Sequence, residues 1–395
     1  MDNFIPFALP DIDENDIAEV VDTLRSNWIT TGPKARAFEE AFSKYTGARY
    51  ALAVNSATAA LHLALESVGL RQGDKVITTP YTFAATAEVI RYFNADPVFI
   101  DVRKEDCNID PAGIEKFCSE ECAVKKGVLC HNKTGSAVKA IIPVHIGGVP
   151  CDMDAISRIA KKYGLKVIED AAHALPVSYK GKRVGTISDI TAFSFYATKT
   201  ITTAEGGMAV TGDKALYERM KVMRLHGIDR DAWNRYSGNG AGWYYEIIGA
   251  GYKYNMTDIA ASLGIGQLKK ADSFYEKRKH IARIYNKGLK GIKGLELPPH
   301  AMDGSSWHLY IVKIDSDKVS RDDFIKKLQE KGIGTSVHFI PLHIQPYYRD
   351  LYKLASDDFP VAYDSYKKSV SLPIYTRLTD NQVASIVSAI KEIFA

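Results

Sequence analysis

The chain has 395 residues, of which 46% are hydrophobic and 25% are charged, and its formal net charge is +4. This composition is typical of a folded globular protein, and the length allows two hydrophobic cores. Like charges form no block of the kind found in nucleic-acid arms or membrane-binding tails, and no apolar run is long enough to cross a bilayer.

The first residues and the cysteines indicate the compartment. Residues 1–16 are acidic and lack the basic start and apolar run of a secretory signal. Five cysteines, an odd number, are scattered over the chain, which predicts free thiols in a reducing cytoplasm. We therefore expect a cytoplasmic protein that binds neither nucleic acid nor membrane.

Short apolar segments alternate with helical segments through the first two-thirds of the chain. Helices are predicted at residues 57–68 and 154–163. Strands are predicted at residues 49–55, 75–78, 97–101, 138–144, 165–169, 192–195 and 207–211. The last two strands are close enough in sequence to pair antiparallel. This alternation predicts an α/β fold in three layers (α/β/α), with helices on both faces of a mostly parallel mixed sheet.

The pattern changes after residue 258. Residues 259–288 form one long helical stretch, interrupted only by glycines near positions 264 and 266. The stretch is followed by a predicted strand, helix, strand and helix at residues 307–314, 321–331, 335–339 and 379–393. That order predicts a smaller C-terminal α/β domain. We place the boundary inside the long helix, with a large domain at 1–271 and a small domain at 272–395.

Asp170 and Lys199 are candidates for the chemistry of pyridoxal 5′-phosphate (PLP), which requires a lysine for covalent attachment and an acid beside the pyridine nitrogen. Asp170 ends an apolar strand, where ligands of parallel sheets bind, although a helix N-cap before Ala171 is an equally good interpretation. Glu169 is predicted to point to the opposite face of the sheet. Lys199 is the one charged residue between Ile190 and Ala204, and desolvation there would favour its neutral amine; taken alone, a solvated loop lysine is the commoner case.

Small residues run from a strand into a helix start at residues 55–60. Free backbone N–H groups there, with the hydroxyls of Ser56 and Thr58, predict an anion site, whereas a plain capped helix is the simpler alternative. The segment matches neither a Walker sequence nor a dinucleotide fingerprint. Phe83 follows another predicted strand, where it would cover a bound ring or belong to the core.

A group of three cysteines and one histidine raises the question of a metal. Cys118 and Cys122 have a spacing acceptable for zinc, and Cys130 and His131 follow. A second spaced pair is lacking, and residues 119–135 are polar and rich in lysine. We therefore predict an exposed excursion and no metal site.

The order and spacing of these segments resemble the DegT/DnrJ sugar aminotransferases, which have PLP fold type I of the aspartate aminotransferase superfamily. The resemblance covers essentially the whole chain. It is carried by residues 27–33, 55–61, 80–86, 143–148, 169–173, 194–199, 205–207, 251–258 and 341–346. It implies a PLP-dependent transaminase.

The resemblance also implies roles for residues at matching positions. Lys199 corresponds to the Schiff-base lysine and proton shuttle, Asp170 to the partner of the pyridine nitrogen, and His173 to a residue beside the phenolic oxygen of the cofactor. The other matched cofactor positions are Ala57, Thr58 and Ser194 at the phosphate and Phe83 over the ring, and Ser56 joins them through the anion site predicted above. Asn255 matches a residue that reaches the phosphate from a neighbouring subunit, which implies a homodimer with shared active sites.

Substrate assignments follow from the same resemblance. Thr31 and His343 lie in segments that line the sugar side of the cleft. Residues 229–249 are rich in glycine and aromatic residues, which predicts either a loop that closes over the nucleotide or a mobile dimer-contact loop. L-Glutamate is the implied donor, and residues 205–207 and 251–255 resemble members acting at C4 of UDP-linked keto sugars. The product would be an amino sugar for glycan biosynthesis.

Two departures from the family pattern concern substrate preference. Tyr196 and Ala204 stand where the family often has His and Gly. Lys199 is retained where dehydratase relatives carry His. The alternatives are a PLP-dependent lyase or dehydratase of a related substrate and a PLP-binding regulatory protein. A PLP-dependent lyase or desulfurase normally needs a catalytic cysteine in a mobile loop near the cofactor, and no cysteine follows Cys151. A regulatory protein needs an attached DNA-binding segment, and the first residues show neither a helix-turn-helix nor a basic stretch.

Overall fold

The computed structural model describes residues 4–229, 244–299 and 304–395. The strands in these ranges are β1 (Tyr50–Val54), β2 (Lys75–Thr78), β3 (Asp96–Phe99), β4 (Cys122–Lys125), β5 (Val128–His131), β6 (Val138–Ile141), β7 (Lys166–Asp170), β8 (Ser178–Tyr179), β9 (Lys182–Arg183), β10 (Ile190–Ser194), β11 (Gly207–Thr211), β12 (Leu295–Glu296), β13 (Tyr310–Ile314) and β14 (Ser369–Leu372). The α-helices are α1 (Glu14–Arg25), α2 (Pro33–Thr46), α3 (Ala57–Ser67), α4 (Ala84–Arg91), α5 (Pro111–Glu120), α6 (Met153–Tyr163), α7 (Lys214–Met223), α8 (Asp258–Leu289), α9 (Arg321–Glu330), α10 (Pro346–Tyr352), α11 (Pro360–Lys368) and α12 (Asp380–Phe394).

Seven of these strands form one mixed sheet, in the order β1-β11-β10-β7-β6-β2-β3. β11 pairs antiparallel with both of its neighbours, and the other pairs from β10 to β3 are parallel. The predicted mostly parallel mixed sheet and the antiparallel pairing of its last two strands are therefore confirmed. The carboxyl ends of β1, β2, β7 and β10 lie at one edge of the sheet, because these strands all run in the same direction.

Helices cover both faces of this sheet, as the alternation of side chains along a strand requires. On β11, Met208 and Val210 pack with α2 and α8, whereas Ala209 packs with α3 and α7 on the other face. α5 and α6 cover the half of the sheet that contains β2, β6 and β7. The prediction of three layers is confirmed.

The long helix α8 is continuous through its glycines. A Cβ at Gly264 would lie 2.7 Å from the ring of Phe38, and a Cβ at Gly266 would lie 2.4 Å from Oδ1 of Asp16. The two glycines thus let α2 and α1 approach α8 closely, and they do not interrupt it. α8 contributes Phe274 to the core of the large sheet and Ile281 to the separate core of the C-terminal elements.

The C-terminal part differs from the prediction in one strand. A small sheet has the order β12-β13-β14, packed against α8 and α12. The strand predicted at residues 335–339 is wrong, since only a single bridge at Ser336 pairs this segment with Ser371. The segment instead faces a cavity with His338 and Phe339. β14 was missed because four residues between lysines and a proline carry too little apolar pattern.

The N-terminal segment shares a hydrophobic core with the C-terminal elements. The buried core around β13 and α12 also includes Ile5, which pairs with Ile333. An N-terminal residue therefore packs with the C-terminal elements. The division at residues 271 and 272 stays a prediction.

The excursion after α5 is an ordered hairpin of β4 and β5, so the prediction of an exposed excursion is only partly right. Val124 is exposed, but Cys118, Cys122 and Leu129 are buried. Burial raises the pKa of the Cys118 thiol to about 12 and that of Cys122 to about 11. Within the described ranges, no group of three or more His, Cys, Asp and Glu side chains is placed to hold a metal ion. No helix in those ranges combines the length and the apolar character needed to span a membrane.

Candidate active site

A cavity of about 550 Å³ lies at the carboxyl ends of the parallel strands. This is the edge where side chains from different strands converge in open α/β sheets. Eight predicted cofactor residues line it: Ser56, Ala57, Thr58, Phe83, Asp170, His173, Ser194 and Lys199. They come from segments that follow β1, β2, β7 and β10, so the fold brings together residues far apart in sequence.

Asp170 is held at both of its carboxylate oxygens. Thr86 Oγ1 donates to Oδ2 over 2.8 Å, and the backbone N–H of Ala172 donates to Oδ1 over 3.2 Å. Burial raises the pKa of the Asp170 carboxyl, and these hydrogen bonds and the charge of Lys199 oppose that rise. No helix begins at Ala171, so the N-cap alternative is wrong.

Glu169, the neighbour of Asp170, is also buried but does not line the cavity. Its carboxylate accepts hydrogen bonds from Ser188 over 2.6 Å and Thr191 over 2.9 Å. His145 Nε2 lies 2.9 Å from it, while Nδ1 of the same ring accepts from the backbone N–H of Cys151. That acceptance leaves Nε2 as the protonated nitrogen, which donates to Glu169. Glu169 therefore has a structural role, because its carboxylate is held by internal hydrogen bonds away from the cavity.

Lys199 follows β10 in a tight turn and is half-buried at the cavity wall. Within the described ranges, its amine forms no ion pair with a carboxylate. Burial lowers the pKa of the Lys199 ammonium to about 8, an effect that the charge of Asp170 only partly offsets. A much larger share of neutral amine is present near pH 7 than for an ordinary lysine, so the solvated-loop alternative is not supported.

This pKa predicts how an aldehyde becomes attached to Lys199. Only the neutral amine is nucleophilic, and its fraction rises with pH until the pH exceeds the pKa. In apoprotein mixed with PLP, the rate at which the visible band of lysine-bound cofactor appears should rise with pH and level off above about 8. Stopped-flow absorbance would measure it. A rate that keeps rising to pH 10 would contradict the lowered pKa.

The start of α3 offers an anion site on the opposite wall. Ser56 caps the helix by accepting the backbone N–H of Ala59 over 3.0 Å. The N–H groups of Ala57 and Thr58, in the first turn, have no acceptor among the described residues. A Cβ at Gly207 would lie 2.6 Å from the nitrogen of Ala57, so only glycine lets β11 pass so close to this turn. A phosphate dianion fits a helix start of this kind.

Aromatic side chains border the space between Lys199 and the anion site. Phe83 is 66% exposed and lies across from Phe339, at 6.5 Å between ring centroids. His173 stacks on Phe339 at 5.8 Å and an angle of 12°. Its Nδ1 is buried without a hydrogen-bond partner in the described part of the chain. A bound polar group in the cavity would satisfy that atom.

Sequence reasoning missed two histidines and one threonine of this site. His308 and His338 line the cavity, and burial lowers the pKa of His338 to about 4 and that of His308 well below its usual value. Both rings are therefore neutral. Thr86, beside Asp170, stands at the end of the matched segment 80–86, which was a usable signal. The histidines lie in segments with no such signal.

Three predicted residues do not line this cavity within their own chain. His343 is fully buried against Phe359 and has no access to it. Asn255 Nδ2 donates to Thr31 Oγ1 over 2.5 Å, and both residues line a second cavity of about 840 Å³. The prediction for residues 229–249 falls mostly on residues 230–243, which lie outside the described residues.

A family model matches nearly the whole chain. It is that of the DegT/DnrJ/EryC1/StrS aminotransferase family, and it matches residues 10–391. The chain belongs to this family. The predicted family, the PLP-dependent transaminase and PLP as cofactor are thereby confirmed.

Similar proteins agree with this membership. The chain is 45% identical to the spore coat polysaccharide biosynthesis protein SpsC of Bacillus subtilis, over 99% of this chain and 97% of that protein. The structure resembles that of Spr1654 from Streptococcus pneumoniae in its PMP form, a protein described as a sugar aminotransferase, with 35% identity, a TM-score of 0.88 and 98% of each chain covered. It also resembles Helicobacter pylori PseC, an aminotransferase involved in the biosynthesis of pseudoaminic acid, with 30% identity, a TM-score of 0.88 and 99% of each chain covered.

The residues of the cavity fit the cofactor of this family. The free N–H groups of Ala57 and Thr58 suit its phosphate, and the unpartnered Nδ1 of His173 suits a ring substituent. Asp170 and Lys199 face the same space and are not paired with each other. The chain is a DegT-family sugar aminotransferase in which each part of PLP has a matching group.

Proposed function

We propose that the protein transfers an amino group from L-glutamate to the C4 keto group of a UDP-linked sugar. The observation that carries the proposal is the convergence of Lys199, Asp170 and the free start of α3 on one cavity of about 550 Å³. An amine substrate and a keto substrate react there in turn, so 2-oxoglutarate and an amino sugar are the products.

The residues of the cavity have separate roles in this proposed reaction. When bound, PLP supplies an aldehyde for the amino group and a ring that accepts electrons. With PLP bound, the amine of Lys199 would take the proton from the amino-donor carbon and deliver it, within the same half-reaction, to the cofactor carbon that bears the nitrogen. In the second half it would move a proton in the opposite direction, to the former keto carbon of the sugar. Asp170 keeps a proton on the ring nitrogen, and Ala57 and Thr58 hold the phosphate through their backbone N–H groups.

The neutral histidines favour a sugar as the second substrate. Nδ1 of His338 already lies 2.9 Å from Ser371 Oγ, whereas Nδ1 of His308 has no partner in the described part of the chain. Each neutral ring thus keeps a nitrogen that can form a hydrogen bond with a hydroxyl or keto group. SpsC and PseC, the similar proteins named for polysaccharide and pseudoaminic acid biosynthesis, support the same class. The UDP and C4 assignments rest on the resemblance of residues 205–207 and 251–255.

We also propose a homodimer in the cytoplasm, with Asn255 directed at the cofactor phosphate of the partner subunit. Asn255 lies outside the cavity of its own chain, beside Thr31 in the second cavity, which supports a role toward another subunit. Thr31 would then also serve the neighbouring site. The five cysteines are all free thiols, as is usual in a reducing compartment.

A substrate panel tests the proposed reaction. Holoenzyme with L-glutamate should release 2-oxoglutarate fastest with a UDP-4-keto sugar, and more slowly with UDP-3-keto, dTDP-4-keto and GDP-4-keto sugars. Mass spectrometry of the sugar product should show an amine in place of the ketone. A fastest reaction with a 3-keto sugar or another nucleotide would refute the specific assignment, and a product formed without 2-oxoglutarate would favour a lyase or dehydratase.

A further inference from the structure

Two threonine hydroxyls form a chain that ends on Asp170. Thr82 Oγ1 and Thr86 Oγ1 lie 2.7 Å apart, and Thr86 Oγ1 lies 2.8 Å from Oδ2 of Asp170. Both threonines are buried, and Thr82 also lines the cavity. Thr86 lies in the first turn of α4, Thr82 precedes that helix by two residues, and Asp170 ends β7.

The hydrogen-bond direction in this chain follows from the charge of Asp170. An ionised carboxylate can only accept, so the single proton of the Thr86 hydroxyl is directed to Asp170. Thr86 Oγ1 then has only lone pairs left for Thr82, and the proton between the threonines must come from Thr82. With an ionised carboxylate at its end, the chain of donors therefore runs from Thr82 to Thr86 to Asp170.

We propose that Thr82 and Thr86 are positioning residues that fix the Asp170 carboxylate, in its ionised form, toward the ring nitrogen of PLP. The proposal rests on the placement of the cofactor given above. Thr86 holds Oδ2 from behind, and the N–H of Ala172 holds Oδ1. Hydrogen bonds to charged groups are the strongest that neutral donors make, and a fixed acceptor loses no rotamer freedom when the ring binds.

The electrostatics of Asp170 support this role. Its carboxyl is buried at the cavity wall, and burial raises its pKa. Thr86 provides the largest of the effects that oppose the rise, ahead of Ala172, Lys199 and His145. Removing the Thr86 hydroxyl would therefore let the carboxyl take up a proton at a higher pH, and a neutral acid would no longer hold the ring nitrogen protonated.

The position of the two threonines adds a geometric link. Thr82 and Thr86 stand on either side of Phe83, the residue just before α4, at the cavity wall. One segment thus carries both the aromatic side chain proposed to face the cofactor ring and the two hydroxyls that position the Asp170 carboxylate. A shift of this segment would therefore move the two contacts together.

Thr86→Val tests the proposal, because valine keeps the shape and removes only the hydroxyl. Apoprotein titrated with PLP should show binding weaker by about tenfold or more, the range expected for one hydrogen bond to a charged group. The loss of binding at acid pH should also begin at a higher pH than in the wild type. Thr82→Val removes a hydroxyl that is one hydrogen bond further from Asp170, so it should cause the same changes to a smaller extent.

Conservative and matched variants separate positioning from packing. Thr86→Ser restores a hydroxyl and should restore both affinity and pH profile. Thr78→Val removes an equally buried hydroxyl that donates to the carbonyl of Ile142, away from the cavity, and should leave both unchanged. If Thr86→Val does not fold, as judged by circular dichroism, the Thr82→Val and Thr82→Ser pair provides the same comparison.

The outcomes distinguish this inference from the proposed function. Wild-type binding of PLP with a normal pH profile in the valine variants would overturn the positioning role and leave the function intact. A Thr86→Ser variant as weak as Thr86→Val would show that packing, and not the hydroxyl, matters. Wild-type protein that binds no PLP would instead refute the placement of the cofactor itself.

Discussion

Lys199→Ala should lower the transaminase rate by about four orders of magnitude, the upper end of what a positioned general base contributes. The variant loses the neutral amine that moves the proton, and no other lysine of the described ranges lines the cavity. It also loses covalent attachment, so the visible band of the lysine-bound cofactor should be absent. PLP should still bind through the start of α3 and be removable by gel filtration more readily than from the wild type.

Absorbance spectra and release of 2-oxoglutarate from L-glutamate measure both effects. Lys161→Ala is the matched control, since this lysine is exposed on α6 and lies outside the cavity. It should retain the band and the rate of the wild type. A visible band that persists in Lys199→Ala would assign the attachment to another residue and contradict the site.

Asp170→Asn should lower the turnover number by about 10²–10³, the effect typical of removing one group that stabilises charge in a transition state. The amide can still accept from Thr86, but it then directs its own N–H toward the ring nitrogen and cannot keep that nitrogen protonated. Lys199 remains, so the visible band should persist. The variant therefore separates electron withdrawal from cofactor attachment.

The same substitution should change the pH dependence of attachment. The charge of Asp170 raises the pKa of Lys199 against the effect of burial. Its removal should lower that pKa, so the attachment rate should level off below about pH 8 instead of above it. Asp154→Asn, at an exposed aspartate on α6 that pairs with Lys180, should change neither turnover nor this profile. An unchanged turnover in Asp170→Asn would remove Asp170 from the chemistry.

The large sheet was predictable because its strands are short apolar runs separated by polar turns. β2 and β11 have the predicted bounds, and α8 differs by one residue at each end. These segments have local signals, namely side-chain period and capping residues such as Thr257 before α8. The strand predicted at residues 335–339 was wrong because the local sequence signal there was misleading. Its residues His338 and Phe339 line the cavity and do not form a strand, and side-chain periodicity cannot distinguish the two cases.

The sequence by itself determined the reaction, through the ordered segments around Asp170 and Lys199. It could not decide whether this lysine is solvated or buried, because the pKa depends on neighbours that only the folded chain supplies. The tertiary structure decided that point: burial lowers the pKa of Lys199 to about 8, and β7 and β10 end side by side at one cavity. It also brought in His308, His338 and Thr86, since side chains that line a site from distant segments share no sequence pattern.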